Sequence, residues 1–121
     1  ERSLEIEPDF WPSINNIGLV KYEQGDVETA IRLWEETLEL DDQQPEPMLA
    51  IAVAQYTQGK QAEGLDLGKQ ALSLDSTYAD LDYLRKNLWG DILIKDTIVF
   101  LEDPTMQALI SRLQQSSTPQ E

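Results

Sequence analysis

The side chains of this sequence that could carry chemistry are carboxylates, several of which occur in adjacent or alternate pairs. The clearest pairs are Glu35-Glu36, Asp41-Asp42 and Asp80/Asp82. Paired carboxylates can serve general acid–base catalysis or bind calcium. A calcium loop, however, places oxygen ligands at regular alternate positions around a central glycine, and none of these pairs lies in such a pattern. We therefore interpret the pairs as solvated helix ends and faces.

Other reactive groups are missing from the sequence. The 121 residues include no cysteine and no histidine. A thiol nucleophile, a disulfide framework, a catalytic triad with histidine and a His/Cys metal site are thereby excluded. There is also no glycine-rich phosphate loop. The sequence predicts no catalytic residue, no cofactor and no metal ligand, and we expect a protein that is not an enzyme.

The charge balance restricts the partners. The sequence has 23 acidic and 9 basic side chains, a formal charge of -14. A nucleic-acid partner is not expected, because binding to phosphates relies on Lys and Arg. No apolar stretch is long enough to cross a bilayer, so no direct membrane insertion is expected. We expect a soluble cytoplasmic domain, while a signal or anchor upstream of Glu1 stays open.

An internal repeat dominates the first two thirds of the chain. Six identical pairs lie 34 positions apart: Tyr22/Tyr56, Gln24/Gln58, Gly25/Gly59, Leu38/Leu72, Leu40/Leu74 and Asp41/Asp75. Within each unit the apolar residues recur at helical spacing on both sides of the glycine. A glycine can take the left-handed conformation that ends the first helix, and Asp26 can cap the second. Each unit is therefore predicted to be two helices joined by a tight turn.

The period and this pattern resemble the tetratricopeptide repeat (TPR) family. The resemblance implies an all-α, right-handed α-solenoid with a C-terminal capping helix. We assign residues 1–10 to the end of a truncated preceding repeat, 11–44 to the first repeat, 45–78 to the second, 79–102 to a divergent third repeat, 103–114 to the capping helix and 115–121 to a disordered tail. A continuous helix through Gly90 is the alternative for the third repeat. Gly64 and Gly68 are expected to admit a bulky neighbour, with Trp89 as the candidate.

The resemblance also implies a binding site, because the first helices of TPR repeats line a concave groove. The corresponding residues here are Asn15, Leu19, Tyr22, Glu23, Leu49, Val53, Tyr56, Tyr83 and Asn87. For Tyr22 and Tyr56, core packing is favoured over ligand contact. Leu19, Leu49 and Val53 are better candidates for ligand contact. We expect the groove to bind an apolar peptide or helix of a partner protein that has neutral or basic flanks, with the chain serving as an adaptor or assembly scaffold.

A known function of some TPR proteins, binding of a chaperone tail, is not expected here. TPR proteins that hold the acidic tail of heat-shock chaperones use a clamp of Lys, Asn and Arg. The corresponding positions hold Asn15, Leu19, Ala50, Asp80 and Leu84. Without a cation to receive a carboxylate, binding of a chaperone tail is not expected.

The alternative function is structural, with the chain acting in self-association or homo-oligomerisation as a segment of a longer repeat protein.

Overall fold

A computed structural model describes residues 11–117 of the chain, and all regular structure in that range is helical. The elements are α1 (Trp11–Glu23), α2 (Val27–Leu40), α3 (Pro45–Thr57), α4 (Gln61–Leu74), a short 3-10 helix (Ser76–Ala79), α5 (Leu81–Lys86), α6 (Asp91–Leu101) and α7 (Pro104–Ser117). Residues 11–117 contain no β-strand. The prediction of an all-α fold is confirmed.

The two predicted tight turns have the same geometry. Gly25 and Gly59 take φ values of +89° and +97°, a region that favours glycine. In each turn the amide after the glycine donates to a carbonyl five residues earlier, from Asp26 to Lys21 and from Lys60 to Gln55, both at 2.9 Å. These bonds satisfy carbonyls left free at the ends of α1 and α3. The glycine of the repeat thus ends the first helix of each pair.

The second helix of the first pair begins at a side-chain cap. The Asp26 carboxylate accepts a hydrogen bond from the Thr29 amide at 3.3 Å, which satisfies one of the free amides at the start of α2. Accepting this bond lowers the pKa of the Asp26 carboxyl below its ordinary value. The corresponding residue before α4, Lys60, makes no side-chain cap.

Small residues allow close contacts between the helices. A Cβ on Gly64 would lie 2.6 Å from the Ala52 carbonyl oxygen, so α4 approaches the backbone of α3 closely. Gly68, one turn later, faces the ring of Phe100 on α6. The expectation of a bulky neighbour is therefore correct for Gly68, but the candidate was wrong. Trp89 lies elsewhere, with its indole nitrogen bonded to Glu46.

The last third of the chain is not arranged as a third helix pair stacked like the first two. α5 is only six residues long, and residues 87–90 interrupt the chain before α6, so no continuous helix runs through Gly90. α6 packs on α3 and α1, the first helices of both pairs, while α7 packs on α4. The segment after residue 79 thus folds back over the first two pairs.

The helices can be compared with the segments assigned from the sequence. The pair α1–α2 lies within residues 11–44 and the pair α3–α4 within residues 45–78. α7 begins at Pro104 but continues to Ser117, three residues beyond the predicted end of the capping helix. Residues 1–10 and 118–121, assigned to a preceding repeat and to part of the tail, lie outside the described residues.

Candidate functional site

The predicted groove residues do not line an open groove in the structure. Five are at most 3% exposed: Asn15, Leu19, Tyr22, Leu49 and Val53. The other four are half-buried: Glu23, Tyr56, Tyr83 and Asn87. Leu19, Leu49 and Val53, predicted as the better candidates for ligand contact, are thus buried within the chain. The face formed by α1 and α3 is covered by α6, a long-range contact that the repeat period does not encode.

The covering helix α6 is mostly apolar and buries one of its faces. Its buried side chains are Leu93, Ile94, Thr97, Phe100 and Leu101. On its opposite side Ile92 and Val99, seven residues apart, are 47% and 55% exposed. Burial of one apolar face is the main driving force for docking such a helix. The α1–α3 face therefore packs against a helix from a distant part of the same chain.

Glu23 fixes the amino end of α6. Its carboxylate accepts hydrogen bonds from the backbone amides of Ile92, at 3.0 Å, and Leu93, at 2.9 Å. Amides in the first turn of a helix have no partner within the helix, and an anion there interacts favourably with the helix dipole. Gly90 precedes this turn, and a Cβ there would lie 2.7 Å from Glu23 Oε2. Glu23, predicted to border the groove, instead supplies the cap of α6.

Two tyrosines of the predicted site donate to carboxylates of the covering segment. Tyr22 Oη donates to Asp96 Oδ2 at 2.5 Å, and Tyr56 Oη donates to Asp103 Oδ2 at 2.7 Å. Burial, together with the bond to Asp96, raises the pKa of the Tyr22 phenol well above its ordinary value. The bond to Asp103 raises the pKa of Tyr56, and accepting that bond lowers the pKa of Asp103. Both pairs join residues far apart in the sequence.

A buried polar cluster lies between α1, α3 and the segment before α6. Asn15 Nδ2 and Trp89 Nε1 both donate to Glu46 Oε2, at 2.8 and 3.1 Å. Burial raises the pKa of the Glu46 carboxyl above its ordinary value, although both hydrogen bonds oppose this shift. Asn15 Oδ1 is buried without a hydrogen-bond partner among the described residues. Glu46 itself is only 5% exposed, so its carboxylate lies inside this cluster.

The remaining two predicted site residues, Tyr83 on α5 and Asn87 directly after it, make only local contacts. Tyr83 packs edge-on against Tyr78, with ring centroids 5.0 Å apart. Asn87 Nδ2 donates to the Tyr83 carbonyl at 2.8 Å. The polar contacts of the α1–α3 face thus involve Asn15, Tyr22, Glu23 and Tyr56, but neither of these two residues.

The contact residues that sequence reasoning missed are those of the covering segment, namely Trp89, Gly90, Asp96 and Asp103. The apolar spacing in 91–101 could have indicated a buried face, but it does not say which helices cover it. Within residues 11–117, no three His, Cys, Asp or Glu side chains are grouped so that they could hold a metal ion. No helix described by the structure is long and apolar enough to cross a membrane.

Comparison with protein-family models, with curated proteins and with solved structures finds no match to this chain.

Proposed function

We propose that the chain is a non-catalytic protein interaction module that binds a helix of a partner protein, as an adaptor or assembly scaffold. Its proposed architecture is a right-handed α-solenoid of the tetratricopeptide type, made of two repeats, a divergent third unit and α7 as the cap. The equivalent turns at Gly25 and Gly59 support the repeat assignment. The proposal concerns one surface, the α1–α3 face.

The observation that carries this proposal is the docking of α6 across α1 and α3. The contact combines apolar burial with hydrogen bonds at the amino end, the middle and beyond the carboxyl end of α6. The first two of these contacts join residues that are 69 and 74 positions apart in the sequence. A surface that packs against a helix from a distant part of the chain has the shape and chemistry to bind one from a partner.

In this view α6 and a partner helix compete for the α1–α3 face. Asp96→Ala is expected to weaken the internal contact, because it removes the carboxylate that accepts the Tyr22 hydrogen bond. A hydrogen bond to a charged group contributes about 1.5–3 kcal/mol. We expect hydrogen exchange of the amides in 91–101 to rise about tenfold, since about 1.4 kcal/mol corresponds to a factor of ten. Lys95→Ala, at the adjacent exposed position, is the matched control and should leave exchange unchanged.

The binding test adds a fluorescent, acetylated peptide of residues 89–104 to the full chain and measures its anisotropy. The peptide is expected to bind the Asp96→Ala chain and to bind the Lys95→Ala chain far more weakly, because in the control the internal helix competes at high effective concentration. Circular dichroism confirms that each variant is folded. Absence of peptide binding to a folded Asp96→Ala chain with raised exchange in 91–101 would refute the proposed function.

A structural role in self-association is the second candidate, and a comparison of equivalent positions favours it. Ile17 and Val20 on α1 are 50% and 54% exposed, whereas Ile51 and Ala54, their equivalents 34 positions later, are at most 2% exposed. Beside Val20, the side chains of α1 and the 66%-exposed Leu88 line a cavity of about 290 Å³. This exposed α1 surface is mainly apolar and could join repeat units.

Light scattering over a dilution series tests the second candidate. A dimer that Val20→Asp dissociates would support it, whereas Leu74→Asp, at an exposed apolar position on α4, should leave the dimer intact. A chain that stays monomeric at every concentration would exclude self-association through the exposed α1 surface.

A further inference from the structure

The polar groups around α6 form a set with a defined spacing, which we call the clamp: Glu23, Tyr22 and Tyr56. Glu23 receives the two amides at the start of the helix, Ile92 and Leu93. Tyr22 donates to Asp96, and Tyr56 donates to Asp103, seven residues further on. The clamp therefore combines one acceptor for a helix amino end with two donors for carboxylates.

The geometry of the clamp restricts which helices it can satisfy. Tyr22 is only 2% exposed, and its hydroxyl loses the bond it makes to Asp96 unless the docked helix offers an acceptor at that place. A bond from a hydroxyl to an ionised carboxylate is stronger than one to a neutral amide. The Glu23 carboxylate requires a helix that begins at this point, with its first amides free. These groups select a helix by the position of its amino end and its acidic residues.

We propose that the cognate partner of the α1–α3 face is a helix with the pattern of α6, with an acidic residue about one and a half turns after its amino end and a second seven residues later, just beyond its carboxyl end. This inference rests on the proposed function and names the partner class. Between the two acids the partner carries side chains that can be buried, where α6 has Thr97, Phe100 and Leu101. α6 itself acts as the internal competitor that occupies the face until the partner displaces it.

The requirement for two carboxylates is compatible with the charge of the chain. At -14 the chain repels an anionic partner at long range. Neutral or basic residues elsewhere on the partner reduce this repulsion, while the two acids reach phenol donors at short range. A second copy of the chain is disfavoured as the occupant, because two such chains repel each other and each already supplies its own α6.

The experiment compares three peptides on the folded, full-length Asp96→Ala chain. The native peptide covers residues 89–104. The amide peptide carries Asp96→Asn and Asp103→Asn. The control peptide carries Asp91→Asn and Glu102→Gln, which remove the same net charge at positions exposed in the structure. Affinities are measured by anisotropy at about 0.15 M salt, where charges more than about 8 Å apart are largely screened.

We expect the amide peptide to bind about tenfold more weakly than the native peptide, and the control peptide to bind within about threefold of it. In a chain that also carries Tyr22→Phe, the native peptide and a peptide with Asp96→Asn alone should bind equally. If Asp96→Ala does not fold, Asp103→Ala replaces it, because Asp103 lies in the loop after α6 and its loss frees the Tyr56 hydroxyl in the same way.

Each other outcome has a distinct meaning. Equal binding of all three peptides would overturn the clamp while leaving the proposed function intact. Equal weakening of the amide and control peptides would show that net charge decides binding, and would also overturn the clamp. If no peptide bound a folded chain, the proposed function itself would fail. A stable dimer of the wild-type chain that exchanges α6 would identify a second copy as the occupant and overturn the assignment to a partner protein.

Discussion

The contact between Gly68 on α4 and Phe100 on α6 makes a sharp prediction for the folded-back arrangement. A Cβ added at Gly68 would lie 2.9 Å from Phe100 Cε2, inside normal contact distance. The ring has no room to move away, because Phe100 is completely buried and packs edge-on against Tyr56, with centroids 5.3 Å apart. Gly68→Ala should therefore destabilise the protein, although alanine is the better helix former.

Two opposing effects set the magnitude. Replacing glycine by alanine in a helix interior gains about 1 kcal/mol. Overpacking a tight core costs about 1–3 kcal/mol, and we take the upper part of that range because the ring is held on two sides. The net effect of Gly68→Ala is an expected loss of about 1–2 kcal/mol in the free energy of unfolding. In a Phe100→Leu background the ring edge is gone, so the same substitution should stabilise the protein by about 1 kcal/mol.

Urea unfolding followed by circular dichroism measures this double-mutant cycle. Gly64→Ala is the matched control, because its Cβ would meet the backbone of α3, 2.6 Å from the Ala52 carbonyl oxygen. It should destabilise the protein equally in both backgrounds. The reasoning is refuted if Gly68→Ala stabilises the wild-type chain, or if its cost is the same with Phe100 and with Leu at that position.

Three further predictions concern single groups. Burial raises the pKa of Glu46 above its ordinary 4.5, so its contribution to stability is present below that pH and is lost as pH rises through the raised value. Glu46→Gln should accordingly have a higher free energy of unfolding than the wild type at neutral pH, and this gain should disappear in acid. Urea unfolding of both proteins at several pH values measures it. A gain that is the same at every pH would contradict a raised pKa of Glu46. The hydrogen bond from Tyr56 lowers the pKa of Asp103, so Tyr56→Phe should raise that pKa in a carboxyl NMR titration, and an unchanged value would count against the bond. Leu88 is 66% exposed and has a φ of +74°, which strains a residue with a Cβ. Leu88→Gly should therefore raise the thermal unfolding midpoint by the equivalent of about 0.5–1 kcal/mol. A lower unfolding midpoint would argue against strain at this position.

The sequence was sufficient for the local structure of the first two helix pairs. Each signal used there involves only one or two neighbouring helices: the 34-residue period, the apolar spacing and the two turn glycines. The turns at Gly25 and Gly59 have the expected positive φ. Asp26 caps α2 as its position predicts. The start of α7 at Pro104 lies one residue after the predicted start of the capping helix at residue 103. The pattern fades after residue 78 because α5 is a single short helix of six residues, too short to show a helical period.

The candidate site could not be predicted in the same way, because its state depends on a contact between distant parts of the chain. The 34-residue period correctly placed Leu49 and Val53 on the first helix of the second pair, α3, but both residues are completely buried. An apolar residue that faces a docked helix and one that faces an empty groove have the same type and spacing in the sequence. The partners that distinguish them, Asp96 and Asp103, look like ordinary solvated acids until α6 is placed beside Tyr22 and Tyr56. The contacts that bury the predicted groove residues are thus the ones on which the proposed partner helix is based.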